Sequence, residues 1–412
     1  MSNKNIIIVT QSFPYSIAAE DTFILPELKY LVKVYDKITF MPQIVEGELF
    51  ELNYKNVYID YSLSNYLKNN KIKKMLYILI FFFENIFKFI KIFSFEELLI
   101  NKQFFMYVLN SIYFSRYFYY NTNLIRNKLI YLYWMDYAAV GLAFVKKMYP
   151  EVSFISRCHG IDIYPERMGL KRFPFRNAIF QNINAVFFAS DAAFNYTLKF
   201  YPLFKEKFYL AGLGIDIHEN LNCIDEKKDQ ITIVSCSYLI PVKRVELIAQ
   251  SIAIFARKNL NLNIKWVHFG DGPLKSNILY HANKNFPKNI DFQLKGNCKN
   301  NIILEYYKNN PIDFFITTSE SEGGRPVSIS EALSFGIPII ATNVGGIPEM
   351  VNSNTGALIP SISSPQDIAK IIELFIKENK HIILRKSSRL FWEQNLNSEI
   401  NSSNFIQMLQ NI

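Results

Sequence analysis

PIDFFITTSESEGGRPVSISEALSFGIPIIATNVGGIPEM, residues Pro311 to Met350, reads as one unit of a parallel sheet: buried strand, polar loop, short helix, strand and Gly-Gly loop. Ile312 to Thr318 is an apolar, β-favouring run, and a polar, Gly-containing loop follows from Ser319 to Arg325. Pro326 suits a first helical position, where its missing N–H has no partner to lose. The helix it opens carries Ser328, Ser330 and Glu331 and should stop at Gly336. Ile337 to Thr342 is the next strand, and Asn343 to Gly346 the next loop.

This layout aims a helix N-terminus out of the carboxyl edge of a sheet, where free backbone N–H groups suit a phosphate. Glu322 before the helix and Glu331 inside it flank that anion site. Carboxylates beside phosphates would repel them, so they are better explained as acceptors for neutral hydroxyls, such as those of a ribose and a sugar. Phosphate, ribose and sugar together point to a nucleotide sugar.

Ser319, Glu322-Gly323, Pro326, Glu331-Ala332, Gly336-Ile337-Pro338 and Gly345-Gly346 with Glu349 resemble the donor-site signature of the retaining GT-B glycosyltransferases of family four, the group 1 glycosyltransferases. The family's usual spacing of its two glutamates is one residue shorter than here, where GGRPVSIS separates Glu322 from Glu331; a bulge beside Gly323-Gly324 is expected. The resemblance implies an α/β fold, GT-B: two Rossmann-like domains facing across a cleft, with a C-terminal helix crossing back to the N-terminal domain. It implies donor binding by Lys243, Arg244, Gly270 and Gly272, together with Glu322, Gly323, Gly324, Pro326, Val327, Ser328 and Glu331. Without the resemblance, the same punctuation describes an ordinary α/β unit with surface glutamates.

At 412 residues the chain suits two domains of about 200 residues each. A hydrophobic content of 50% excludes wholesale disorder. Cys158, Cys223, Cys236 and Cys298 are scattered without metal-ligand spacing, and a reducing cytosol is the simplest compartment. The start, MSNKNIIIVTQSFPYS, has too short an apolar run for a signal peptide and reads as a first strand running into a loop. Net charge is +9, and residues Lys68 to Lys147 hold twelve Lys or Arg against four Asp or Glu. That stretch is also strongly aromatic, as a nucleic-acid face or a membrane-surface face would be.

Ile6 to Thr10 should be the first strand, followed by a loop and helix from Gln11 to Lys33, with short strands at Lys37 to Met41 and Asn56 to Ile59. Family members often carry a Gly-Gly pair in that first loop to approach the donor phosphates, and this chain has none. In MLYILIFFFENIFKFIKIF, Met75 to Phe93, the uninterrupted apolar part ends at Glu84, short of the ~20 residues of a membrane span. Glu84, Lys88 and Lys91 form a single polar stripe, which fits a helix lying in a bilayer interface or one buried against its own domain with one wet face. Tyr107 to Tyr120 carries the same ambiguity.

Further strands are expected at Leu129 to Trp134, Val152 to Arg157 and Ala185 to Ala189, with a helix from Ala138 to Met148. The strand that leads into RCHGIDIYPERM sets His159 and Asp162 at the carboxyl edge of the sheet. By resemblance His159 belongs to the catalytic centre, through its backbone carbonyl, with Asp162 and Arg157 as weaker acceptor or cleft candidates. Arg167, Lys171, Arg172 and Arg176 face either an anionic acceptor or water.

Residues 1–217 thus make an acceptor-side domain, 218–230 a linker, 231–385 the nucleotide-sugar domain and 386–412 a crossover helix with Trp392 and Phe405. Strands are expected at Ile231 to Cys236, Ile264 to Phe269 and Asp291 to Gly296. The family's arginine is replaced by Tyr238 while its lysine is kept as Lys243, leaving Arg244 or Arg325 to assist. No Asp-x-Asp pair or His/Cys cluster has metal spacing. The expected chemistry is therefore metal-free and cofactor-free: Lys243 and the helix N-terminus stabilise the departing nucleoside diphosphate, with His159, Glu322 and Lys243 as the catalytic set. Expected partners are a nucleotide sugar, a saccharide or polyprenyl-linked saccharide acceptor in surface polysaccharide assembly, and the inner membrane surface, with no nucleic acid.

A nucleotide-sugar epimerase would need cleft carboxylates or histidines that cannot be pointed to, and a dehydrogenase would want GxGxxG after the first strand, where VTQSFPYS stands. A sugar-binding protein of this fold would normally be exported. Nucleic-acid binding by the basic region would show as strong salt sensitivity.

Overall fold

The apolar runs become parallel strands in two sheets. The computed structural model describes residues 4–17, 20–92, 102–216, 221–223 and 229–412. The first sheet holds β1 (Asn5–Thr10), β2 (Lys37–Pro42), β3 (Val57–Ile59), β4 (Leu129–Leu132), β5 (Ser153–Cys158), β6 (Ala185–Phe188) and β7 (Phe208–Leu210), in the order β3-β2-β1-β4-β5-β6-β7. The second holds β8 (Gln230–Cys236), β9 (Asn263–Phe269), β10 (Ile290–Gly296), β11 (Phe314–Thr317), β12 (Ile339–Thr342) and β13 (Gly356–Ile359), in the order β10-β9-β8-β11-β12-β13. These strands read as continuous hydrophobic runs because helices cover both faces of each sheet; β11 and β12 are buried at every residue.

Both orders are those of a doubly wound Rossmann sheet, reversing between β1 and β4 and again between β8 and β11. At each reversal the loops from the two central strands leave in opposite directions, opening a crevice at the carboxyl edge. The fold therefore marks two places for a ligand, one per unit.

The chain divides into residues 1–212 with 402–412, and residues 213–401. The tail expected as one crossover is two helices. In Arg385–Asn395, Trp392 is fully buried in the core of the second unit; in Ser398–Gln410, Phe405 packs between Tyr131 and Phe187 of the first. Each large aromatic follows the core that covers it. Most of the expected linker, residues 217–220 and 224–228, lies outside the described residues.

The helix from Lys102 to Tyr120 settles one ambiguity. It buries Tyr107, Val108, Ile112, Tyr113, Phe114, Tyr117 and Phe118 and is a core helix. No helix among the described residues is long and apolar enough to cross a membrane.

Candidate active site

In the second unit the loops after β8 and β11 meet at the reversal point. The first makes a short turn at Pro241–Lys243 and then Arg244, whose backbone is left-handed, starts the helix Val245–Lys258. The second runs from Thr318 to Pro326 and enters the helix Val327–Ser334. Backbone ties lock them together: the Glu320 N–H donates to the Val242 carbonyl at 2.8 Å, and the Thr318 hydroxyl donates to the Arg244 carbonyl at 2.8 Å. Across this junction Lys243 Nζ lies 2.5 Å from Glu322 Oε1, a part-buried ion pair.

Two predicted site residues have partners within the second unit. The Arg244 guanidinium donates to the carbonyls of Thr318 (2.7 Å), Ser319 and Ser361, bracing the loop. Arg325, its alternative, pairs with Glu349 at 2.9 Å. Pro326 is one residue outside the helix: it is the N-cap with extended ψ, and Val327 is the first helical residue. The proline ring offers no side-chain cap, and the first N–H groups of any helix lack intrahelical partners, so the positive end of this helix stays available at Val327 and Ser328.

The Gly345-Gly346 loop has its reason here. Gly345 has φ +54°, and a Cβ on it would fall 1.9 Å from the Glu322 carbonyl oxygen; one on Gly346 would fall 2.6 Å from Gly324. The glycines let the loop after β12 press directly on the backbone of Glu322, Gly324 and Arg325. Residues 318–326, where the extra residue between Glu322 and Glu331 was expected to bulge, form an irregular loop that these glycines clamp. Gly270 and Gly272 similarly admit the carbonyls of Ser237 and Leu239, joining the β9 loop to the β8 loop.

Glu331 is nearly fully buried on the Val327–Ser334 helix and accepts from Asn300 Nδ2 at 2.5 Å. Burial pushes its carboxyl up to about 7, against the opposing bond from Asn300. Nearby, the buried Tyr307 hydroxyl has no partner among the described residues. Asn300 was not foreseen, because nothing in its own neighbourhood marks it as a partner for a residue 31 positions away. The same is true of His268, which bonds Ser235 at 2.8 Å beneath the loops and is held neutral by burial, at about 4.

A carboxyl whose folded value is raised leaves stability intact below its unfolded value and takes it away as pH rises through the folded one. Glu331→Gln should therefore make the ligand-free protein more stable at pH about 8, by up to about 3 kcal/mol. The gain should fade through pH about 7 and vanish near pH about 4.5. Thermal melts across that range check it; a difference that does not change with pH would contradict a proton held on buried Glu331.

In the first unit, the loop after β1 shows why it needs no Gly-Gly pair for its own structure. The buried Glu20 carboxylate accepts from the N–H groups of Gln11 (2.9 Å), Ser12 (2.7 Å) and Phe13 (2.8 Å), and from Trp134 Nε1 (2.6 Å). Those N–H groups hold a carboxylate of the chain itself. Beside Trp134 lies His159, with ring centroids 4.3 Å apart, walled further by Tyr133 and Phe23. Burial first, then Arg157, lowers its ring to about 3, while a bond to the Tyr133 backbone opposes them; Nε2 has no partner among the described residues. His159 is thus a neutral imidazole.

Asp162 accepts from the N–H groups of His159 (2.6 Å) and Met135 (2.9 Å), tying the β4 and β5 loops together, and burial raises its carboxyl to about 7. Arg157, a cleft candidate from sequence, is spent inside the fold: it pairs with Glu27 at 2.6 Å and donates to Tyr131 and Ala211. Its strand position turns it to the sheet face opposite Cys158 and away from the edge. Of the four basic residues that follow, Arg176 is buried and donates to the Asp162 carbonyl at 2.7 Å, while Lys171 and Arg172 line a cleft with Tyr196 and Tyr201.

Two Rossmann-like units, each with its loops gathered at a reversal point, define the GT-B class of fold. Residues 216–389, within the second unit, match the family model described as glycosyl transferases group 1. An uncharacterized glycosyltransferase of Haemophilus influenzae is 26% identical over 166 residues, 40% of this chain and 44% of the relative. The chain spans less than half the length of the curated relatives it matches. Among solved structures, the lipopolysaccharide outer core galactosyltransferase WaaB aligns over 98% of this chain and 99% of its own with a TM-score of 0.66 at 13% identity. Anabaena HepE, in complex with UDP and glucose, aligns over 99% and 100% with a TM-score of 0.62 at 13% identity. At such identities the likeness is one of fold.

Proposed function

We propose that this chain is a retaining glycosyltransferase that moves a hexose-type sugar from a nucleoside diphosphate sugar to a saccharide acceptor. The observation that carries the reading is the Lys243–Glu322 pair, set at the reversal point of the second sheet beside the open end of the Val327–Ser334 helix. In this reading the diphosphate displaces part of that pairing and takes Lys243 and the helix N–H groups as its counter-charges. Glu322, released from the lysine, and Glu331 then accept hydroxyls of sugar and ribose. As the bond from the anomeric carbon to the phosphate oxygen breaks, negative charge grows where Lys243 and the helix end already lie. No metal is required for that stabilisation. His159 is the first unit's proposed residue at the catalytic centre.

The domain match supports the donor class, and the HepE complex makes UDP the first base to try. The acceptor is proposed to be a lipid-linked saccharide in surface polysaccharide assembly, on the cytoplasmic side of the membrane; WaaB, whose fold this chain shares, is a lipopolysaccharide outer core galactosyltransferase. Lys171 and Arg172 suit an acceptor that carries an anion.

Thermal-shift measurements with UDP, GDP, ADP and their sugars test the donor site. Saturation with one nucleotide at about a hundred times its Kd should add about 2.7 kcal/mol, a shift of several degrees. Glu331→Ala should remove it. A folded protein that none of these ligands stabilises would overturn the transferase reading and favour a binding role.

A further inference from the structure

The helices Lys71–Glu84 and Ile86–Ile92 are apolar on two opposite faces. Ile78, Phe81 and Phe89 are buried in the core of the first unit. Opposite them, Ile72, Leu76, Leu79 and Phe83 share one face at 3.6 residues per turn, and Phe87 and Ile90 continue it on the second helix. All six are exposed, Ile72 by 83%, Phe83 by 67% and Phe87 by 79%. So large an uncovered apolar stripe marks an interaction surface.

Its surroundings say what covers it. Residues 71–92 contain five lysines against one glutamate, and that glutamate, Glu84, accepts from the Tyr120 hydroxyl at 2.9 Å. Lys71 and Lys73 flank the stripe on its two sides at the first turn, both exposed. We propose that this face docks on an anionic lipid bilayer, its aliphatic and phenyl groups entering the headgroup boundary and the lysines meeting lipid phosphates. An isologous contact between two copies would set the lysine rim against itself, whereas anionic headgroups neutralise it. The proposal goes beyond the transferase reading and stands without it.

Co-sedimentation of the full chain with phosphatidylglycerol–phosphatidylcholine vesicles, in low and high salt, tests it. Binding should exceed that to phosphatidylcholine alone and weaken with salt. Leu76→Ser with Phe83→Ser and Phe87→Ser should lower the partition coefficient by about tenfold or more. Lys71→Glu with Lys73→Glu should abolish the preference for anionic vesicles. These positions are exposed, so the variants should melt like the parent and keep its response to nucleotides, which separates this test from that of the donor site. Absence of vesicle binding by the parent would overturn the proposal. So would a dimer that the triple serine variant splits, without vesicle binding.

Discussion

Lys243→Ala should lower the rate of nucleotide release from the donor sugar, expressed as kcat/KM, by about 10²–10³-fold, the usual effect of deleting one preorganised counter-charge to a developing anion. The substitution acts twice. It removes the cation nearest the proposed diphosphate, and it leaves the Glu322 carboxylate, only 13% exposed at its side chain, without its ion-pair partner and repelling the incoming phosphates. Stability should change less, by about 1–2 kcal/mol, because both partners keep some contact with water. The double variant Lys243→Ala with Glu322→Gln separates the two effects. It should recover the stability, since no unpaired charge remains, but not the rate. Turnover within about threefold of the parent would make Lys243 a strut between two loops and nothing more.

The largest effect on folding should come from Arg157→Met. Arg157 is 1% exposed, and its guanidinium serves Glu27, the Tyr131 hydroxyl and the Ala211 carbonyl while lying 4.3 Å over the Phe405 ring. Removing it strands a buried carboxylate, which costs about 3–5 kcal/mol, and loosens Phe405 from the first unit. At about 2–4 °C per kcal/mol for a unit of this size, the first unit should melt roughly 10 °C lower. Burial already raises the Glu27 carboxyl, and Arg157 is the main influence holding it down. Without Arg157 the raised carboxyl takes stability away as pH rises, so the deficit should be largest at pH about 8 and shrink towards pH about 4.5. Glu27→Gln in the same background should restore part of the loss. A variant that melts within about 2 °C of the parent would show that this buried pair contributes little beyond what packing supplies.

Much of the second unit's site was legible because it is written locally. Gly336 ends a helix with its φ of +69°, and Gly345 at +54° admits a neighbouring carbonyl; both demands fall on single positions that glycine meets. Lys243 and Glu322 were recognisable as chemistry-bearing residues at strand ends. Their pairing, across 79 positions, was not. Nor was the difference between the arginines: Arg157, Arg244 and Arg325 look equally available as letters, and each is committed to an acceptor that only the folded chain brings near.

The sequence by itself determined where strands, loops and helices lie, because apolar periodicity and Gly or Pro punctuation act over a few residues. The tertiary structure decided which of those residues meet. The strand orders place β8 beside β11 and β1 beside β4, although about 80 and 120 residues separate the members of each pair. That topology brings Lys243 to Glu322, puts Glu20 under the first loop, and chooses which apolar face of residues 71–92 is buried and which is left for a partner. Burial is a long-range property: a helix with two apolar faces carries no local mark of the one its neighbours will cover.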